Sequence, residues 1–453
     1  MKKAIRKQTR TVEVINEDLL DQAGKCYLDM LPPSKEKFTV LSFDEAVSGV
    51  PDRDSIGGIS RSTSAGFPYS QRTSKKGKTE WFGEDEWTLA SPKCLEFKED
   101  VEEKISAMKK GEPQMFVFTD TLKDETRPKE KLGKTRLFAA APMDFIVIFR
   151  MYFMSFLAYM MENRIVNESA VGIKAQTMEW CFLANRLNIF KNVIAGDFSD
   201  YDGTLHPKIL WKVYEIIESF YANDDSFQEG DDMVRKELWH NIVCSTHING
   251  NILYNLNHSQ PSGNPATAIL NSMYNSIACR YTFYKRCSYD FNEEVVMIAY
   301  GDDNVLSISD TVKDKFNQET MSEDFAEIGM TYTDEEKKGN LGFKNLGEVY
   351  FLKRKFRFDE GIYYGPLKLD SILDCFNWIH STKDELGVIS GNFIMANIEL
   401  AMHDEETFNF WIRKLRSTIQ NVYGKNLSVV DRDNILNYVR DGCVAEHFDC
   451  QWI

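Results

Sequence analysis

Apolar and polar positions fall into a few clear registers along this chain. Val295-Val296-Met297-Ile298-Ala299 and Val305-Leu306-Ser307-Ile308 are short apolar runs separated by Tyr300-Gly301-Asp302-Asp303. Such runs with a glycine between them predict two strands joined by a tight turn. Val193-Ile194-Ala195 predicts another strand, ending at Asp197. From Lys208 to Ile217 the apolar residues recur at helical spacing. So do Phe408, Trp411, Ile412, Leu415 and Ile419, after Asp404-Glu405-Glu406, where acids favour a helix start. Asn249-Gly250-Asn251 predicts a further hairpin. Phe145 to Met161 is the most membrane-like segment, but Arg150 interrupts it. It falls short of the roughly 18 apolar residues that a span requires. It predicts a buried helix that starts after Pro142 and is capped by Asp144.

Composition narrows the class. A chain of 453 residues can bury a large core and more than one domain. No repeat, low-complexity tract or long Pro/Gly/Ser linker divides it, which predicts interlocked subdomains. Nine cysteines are scattered without zinc spacing, as expected of reduced thiols. Cys443 and Cys450 are near enough in sequence to pair, but free thiols are expected. Met1–Lys7 is basic with no apolar run behind it, so no secretory signal is expected.

Charge changes the picture further. A formal net charge of −15 argues against a generic nucleic-acid binder. Yet between Lys123 and Arg136 six basic residues face three acidic ones, a local +3. Lys75, Lys76 and Lys78 predict a second basic loop. An acidic exterior around a basic channel still focuses a polyanion inward.

The candidate chemistry is carried by carboxylates. Asp302 and Asp303 sit at the tip of the predicted hairpin, and Asp197 ends a separate strand with Asp202 five residues on. Oxygen ligands suit Mg²⁺ or Mn²⁺. Metal-assisted phosphoryl transfer draws carboxylates from separate segments onto two cations roughly 3.5–4 Å apart. The bland reading of an isolated Gly-Asp-Asp is a solvated acidic turn; the second carboxylate pair shifts the balance. Gln260-Pro261-Ser262-Gly263-Asn264-Pro265-Ala266-Thr267 reads as a Ser/Gly loop opening a helix. Thr267 and Asn271, four apart, share one helix face. The bland reading of that loop is a local helix cap.

These segments, in this order, resemble the RNA-dependent RNA polymerases of the picornavirus superfamily. Four more blocks extend the resemblance: Thr63–Tyr69 is similar to a template-entry loop, and Lys123–Arg127 through Gly133–Leu137 to a basic nucleotide-entry ribbon. Gly329–Thr333 with Lys337 is similar to the segment carrying a general-acid lysine, and Phe351–Arg354 to a primer-grip turn. Asn264-Pro265 after Ser262-Gly263 is most similar to the enzymes of picorna-like viruses of insects and other invertebrates.

The resemblance implies an α+β right-hand fold. Fingers would span residues 1–190, with a return at 243–259. A palm with an antiparallel sheet flanked by helices would span 191–242 and 260–356, and a helical thumb 357–453. It implies two Mg²⁺ ions, with Mn²⁺ as a substitute, held by Asp197, Asp302 and Asp303. Asp202, with Ser262, Gly263, Thr267 and Asn271, would read the incoming ribose, since a 2′-hydroxyl both donates and accepts. Arg127 and Arg136 would clamp the triphosphate, because guanidinium forks match phosphate oxygens. Lys123 and Lys131 would assist. Lys337 would protonate the leaving pyrophosphate, with neighbouring Lys338 leaving the register open by one.

Expected partners are template and product RNA, NTPs, a viral protein primer and other viral replication proteins, in replication complexes of the host cytoplasm. Positive-strand genome replication is the implied function. The rival readings are a reverse transcriptase, which Asp202 with Asn271 and the basic ribbon oppose, and a non-catalytic RNA-binding protein on a decayed palm, which the complete carboxylate set opposes.

Overall fold

The computed structural model describes residues 5, 12–125, 135–222, 228–339, 341–379 and 382–441. In chain order, the elements that build the site begin with β1 (Val117–Leu122), β2 (Leu137–Ala140) and the long helix α1 (Met143–Glu162). β3 (Asn192–Ser199) and α2 (Pro207–Ala222) follow, then β4 (Thr246–Asn249), β5 (Ile252–Asn255) and α3 (Thr267–Arg286). The hairpin strands are β6 (Val295–Tyr300) and β7 (Asp303–Ile308), and β8 (Thr331–Asp334) closes the set.

Two four-stranded sheets organise these elements. The central sheet is antiparallel, in the order β6-β7-β3-β8. β3 is its second interior strand, and Val193, Ile194 and Ala195 are each 1% exposed, which explains a near-continuous apolar run. The second sheet has the order β2-β1-β4-β5, with β1 parallel to β4. Its β4–β5 hairpin turns through Gly250-Asn251, as the sequence predicts, and returns the chain to the N-terminal region. Helices α2 and α3 pack together behind the central sheet, with Ile209, Leu210, Ile269 and Tyr274 in one core.

α1 runs for 20 residues and is by length and composition apolar enough to cross a membrane, contrary to expectation. It is nevertheless a core helix, with 89% of its apolar window buried inside the protein. Arg150 survives there because its guanidinium donates to the Ala46 carbonyl at 2.6 Å and to that of Gly57. Asp144 is not the cap: Pro142 holds that position, and Asp144 sits in the first turn paired with Lys104. It acts there as an anion near the positive helix end.

The C-terminal region holds the helices α4 (Leu369–Asn377), α5 (Glu385–Ala401), α6 (Glu405–Tyr423) and α7 (Arg432–Arg440), with a core of their own. Phe408, Ile412, Leu415 and Ile419 point into it and Trp411 lies at its edge, while Asp404 caps α6 through the Thr407 N–H at 2.8 Å. Seven cysteines among the described residues are free thiols. Cys443 and Cys450 lie outside the described residues.

Candidate active site

The β6–β7 register ends at Tyr300↔Asp303, so Gly301 and Asp302 form a two-residue turn. Gly301 has φ +63°, a left-handed conformation that glycine adopts without strain. Gly196 on β3 pairs with Asn304 on β7, which sets Asp197 beside the turn. Gly196 cannot carry a side chain: a Cβ there would lie 2.1 Å from the buried Tyr332 ring.

The carboxylates perturb one another. Burial, then the Asp197 charge, pushes the Asp302 carboxyl up to about 6. Burial, then Asp302 and Asp197, pushes Asp303 up to about 7. Crowded acids of this kind favour a positive partner. One is already in place, since the Lys337 ammonium lies 2.8 Å from Asp197 Oδ2. Among the described residues no group of three or more His, Cys, Asp or Glu side chains forms a ready metal cage. Asp197, Asp302 and Asp303 offer hard carboxylate oxygens, the ligand type Mg²⁺ takes one or two of, its shell being completed by substrate phosphates and water. The donor set therefore fits the ion.

The two adjacent lysines part company. Lys337 reaches Asp197, whereas Lys338 pairs with Glu336 at 3.0 Å. Geometry selects Lys337 as the one that faces the carboxylates.

A second polar cluster lies next to the first. Asn271 Nδ2 donates to Asp202 Oδ1 at 3.0 Å, and Gln260 donates to the Asn271 side-chain oxygen. Burial raises the Asp202 carboxyl, against the Asn271 and Gln260 bonds and the nearby Arg136 and Lys123 charges. Gln260 is a site member that sequence reasoning missed; its place just before Ser262-Gly263 was the available signal. Thr267 donates its hydroxyl to the Ser262 and Asn264 carbonyls, at 3.0 and 2.9 Å, as a local loop contact. Ser262 Oγ accepts from the Ala139 N–H at 3.4 Å. Gly263 bridges to Ala140, and a Cβ there would meet the Ala139 carbonyl oxygen at 2.2 Å. Its glycine is required by backbone packing against β2.

The basic ribbon is β1–β2 and its extension, where the Lys123 N–H donates to the Arg136 carbonyl at 3.0 Å. Arg136 is 63% exposed along its side chain and forks onto Glu125, with Nη2 to Oε2 at 2.7 Å. That bond raises its already high pKa, helped by the Asp302 and Asp202 charges nearby. Arg127 and Lys131 lie outside the described residues. The second basic loop needs correction: Lys75 and Lys76 are exposed, but Lys78 is 2% exposed. Its ammonium bonds the Thr63 hydroxyl at 2.6 Å and the Thr63 and Ser60 carbonyls, and burial lowers its pKa to about 8. It buttresses the Thr63–Tyr69 loop from beneath.

On the Asp303 side a cavity of about 760 Å³ opens between Ile173–Thr177 and the 352–354 turn, with Tyr300, Lys174, Lys353 and Arg354 on its walls. Phe351 and Arg354 bridge across that turn, and Leu352 and Lys353 both take left-handed φ, +52° and +60°.

Two buried networks were not visible in the sequence. Tyr332 donates to Asn304 at 2.8 Å, Asn304 to Asn275 at 2.9 Å, and Asn275 to the Gly301 carbonyl at 3.0 Å and that of Asp302 at 3.3 Å. Ser272 accepts from the Gly301 N–H at 2.9 Å. The turn carrying Asp302 is thus held from behind. Separately, Ser245, His247 and Asp120 form a hydrogen-bonded chain of 2.8 and 2.9 Å, with Tyr254 also on Asp120. The order is that of a hydrolase triad. Ser245 and His247 are 0% and 1% exposed, so no substrate reaches them and the chain ties β4 and β5 to β1.

Antiparallel sheet, hairpin carboxylates and helical C-terminal region define a right-hand α+β polymerase fold. A family profile described as viral RNA-dependent RNA polymerase matches residues 2–420, and this chain belongs to that family. It is 40% identical over 425 residues to the replicase polyprotein of Cricket paralysis virus, covering 88% of this chain and 24% of that polyprotein. It is 38% identical to those of Acute bee paralysis virus over 430 residues (88% and 22%) and Drosophila C virus over 402 residues (84% and 23%). The chain thus spans about a quarter of the length of the curated relatives it matches. The relation to picorna-like viruses of insects agrees with the sequence motif. A solved Sicinivirus 3Dpol RNA-dependent RNA polymerase has the same fold, with TM-score 0.78 and 21% identity over 95% of this chain and 86% of that one. Polymerases of this family generally use divalent metal ions.

Proposed function

We propose that this chain copies a positive-strand viral RNA genome, joining NTPs to the 3′-hydroxyl of a growing RNA. The observation that carries the reading is the Asp202–Asn271–Gln260 cluster set beside the Asp197/Asp302 pair. A ribose-reading carboxylate and amides next to a cation-seeking carboxylate pair is what RNA synthesis requires.

In this reading residues 1–190 and 243–259 are fingers, 191–242 and 260–356 palm, and 357–453 thumb. Asp197, Asp302 and Asp303 hold two Mg²⁺ ions. Bound there, the ions supply Lewis acidity to the attacking hydroxyl and charge neutralisation to the triphosphate. Asp202 and Asn271 bond the 2′-hydroxyl, and Ser262, Gly263 and Thr267 shape the loop behind it. Arg136, released from Glu125, forks onto triphosphate oxygens, with Lys123, Arg127 and Lys131 alongside. The primer 3′-hydroxyl gives up its proton to solvent as its oxygen attacks the α-phosphorus, and the bond from that phosphorus to the bridging oxygen of the pyrophosphate breaks. Lys337 gives its proton to the departing pyrophosphate, and its role requires it to exchange Asp197 for that leaving group. The cavity beside Asp303 and Lys353 receives the primer end. Template RNA, a viral protein primer and other replication proteins are the partners, in replication complexes of the host cytoplasm.

The test is primer extension on a defined RNA template, with NTP or dNTP and with or without Mg²⁺. Metal-dependent NTP incorporation that Asp197→Ala removes supports the reading. Preferential use of dNTP, or full activity in Asp197→Ala, overturns it.

A further inference from the structure

Asp334 is a buried acid near the site that the chemistry above does not use. It ends β8 opposite Gly196 and is 1% exposed. Its carboxylate faces backbone: Oδ1 accepts from the N–H groups of Glu336 and Lys338, each at 3.1 Å, and Oδ2 from that of Gly339 at 2.7 Å. Its own carbonyl accepts from the Lys337 N–H at 3.0 Å. Four consecutive N–H groups, 336 to 339, thus close on one residue. Burial works to raise this carboxyl, but the three N–H bonds outweigh it and hold the group below the ordinary range. It stays an anion and a permanent acceptor.

The loop so gathered has an uncommon backbone. Lys337 takes φ +57°, a left-handed conformation that a lysine seldom adopts without outside support. The neighbouring charges are engaged elsewhere. Glu335 binds Lys344 at 2.9 Å, and Glu336 binds Lys338 at 3.0 Å and Lys368 at 3.7 Å. Lys337 is left to reach across to Asp197. Two lysines stand side by side in the sequence, and the wrap around Asp334 decides which of them turns inward.

We propose that Asp334 is a positioning residue for Lys337: by gathering the N–H groups of residues 336, 338 and 339 it folds the loop so that Lys337, and not Lys338, is presented to the reacting phosphates. The inference rests on the reading of Lys337 as proton donor.

The experiment is single-turnover NTP incorporation by the full chain carrying Asp334→Asn, Lys337→Leu or both. Asp334→Asn keeps the size of the side chain but sets an amide N–H₂ against backbone donors. Small misplacements of a reacting group cost up to about 100-fold. The expected result is a maximal rate lowered roughly 10- to 100-fold, with the apparent NTP dissociation constant changed less than about threefold. The double variant should be no slower than Lys337→Leu alone, because a residue acting only through Lys337 has nothing left to position.

A wild-type rate in Asp334→Asn overturns the inference, as do effects that multiply in the double variant, or a loss confined to NTP affinity. In each of those cases a slow Lys337→Leu leaves the proton-donor reading standing. A wild-type rate in Lys337→Leu overturns both. Should Asp334→Asn fail to fold, as judged by circular dichroism, Asp334→Ser keeps one acceptor of the loop and is read by the same outcomes.

Discussion

Gly196→Ala tests how tightly the site is packed from below. The added Cβ would lie 2.1 Å from both Cζ and the hydroxyl oxygen of Tyr332, and 2.2 Å from Cε2. Ordinary carbon contacts are about 3.5–4.0 Å, so the ring must move by more than an ångström. It has little room to do so. Phe198 and Phe325 hem it at centroid distances of 4.8 and 5.1 Å, and its hydroxyl is committed to Asn304. Overpacking of this kind costs about 1–3 kcal/mol. Losing the bond to Asn304 strands a buried acceptor, at about 1–3 kcal/mol more. The sum is roughly 2–6 kcal/mol, enough to lower the melting temperature by several degrees.

The effect should extend to catalysis, because Asn304 passes the disturbance through Asn275 to the carbonyls of Gly301 and Asp302. Thermal melts and primer extension should both be measured, with Tyr332→Phe in parallel. Tyr332→Phe removes the hydroxyl and keeps the ring, so it isolates the hydrogen-bond part. Gly196→Ala should be the more damaging of the two. A Gly196→Ala protein that melts and polymerises like wild type would refute the packing argument, and one milder than Tyr332→Phe would refute the assignment of most of the cost to the clash.

Three other substitutions address the chemistry directly. Asp302→Asn should abolish incorporation while leaving template binding intact. Because the folded-state pKa of Asp302 is raised to about 6, its ionisation costs stability as pH rises through 6, so this variant should melt higher than wild type at pH 8 without divalent cation, with the gap narrowing towards pH 5; added Mg²⁺ should stabilise wild type more. A gap that widens at low pH would contradict the reasoning. Asp202→Ala should lower the NTP/dNTP ratio of kcat/KM more than it lowers template affinity, since a site built for a hydroxyl rejects the analogue lacking it; an unchanged ratio would reduce Asp202 to support. Arg136→Ala should raise KM for NTP, lower kcat, or both, with little change in RNA affinity, and the opposite pattern would move Arg136 to the template channel.

What the sequence revealed and what it concealed divide along a physical line. Asp197 and Asp303 lie on short apolar strands and Asp302 in the turn before β7, where period and turn chemistry are local, so the elements that carry them could be read directly. The pairing of Asp202 with Asn271 was implied by resemblance to known polymerases, and the geometry brings the two together. Thr267 shows the reverse: it opens α3 four residues before Asn271, but its hydroxyl is used by its own loop. Lys78 belonged on composition to a basic surface and is buried under the loop it supports. α1 was read from its sequence as a buried helix, and packing bears that out, although its length and composition alone would suffice for a span. Gln260 had only its place before Ser262-Gly263 as a signal, and the hydrogen-bonding roles of Asn275, Asn304, Tyr332 and Asp334 carry none. Their roles exist only once β3, β7, β8 and α3 have met.

Those concealed residues share a property that bears on the chemistry. The groups behind the Asp302 turn are amides, a serine hydroxyl and a phenol, all neutral. A lysine in that layer would neutralise the acids and weaken their hold on a cation, while another carboxylate would drive their pKa values higher still. Neutral donors and acceptors fix the backbone while leaving the charge of the cluster to Asp197, Asp302 and Asp303. Asp334 fits the same logic although it is charged. Its carboxylate is spent on three N–H groups of its own loop, so its effect on the site is exerted through the conformation of that loop. The scaffold supplies rigidity through neutral or self-satisfied groups. The acids facing the cleft are left under-compensated, and that imbalance is what a divalent cation and a triphosphate together can relieve.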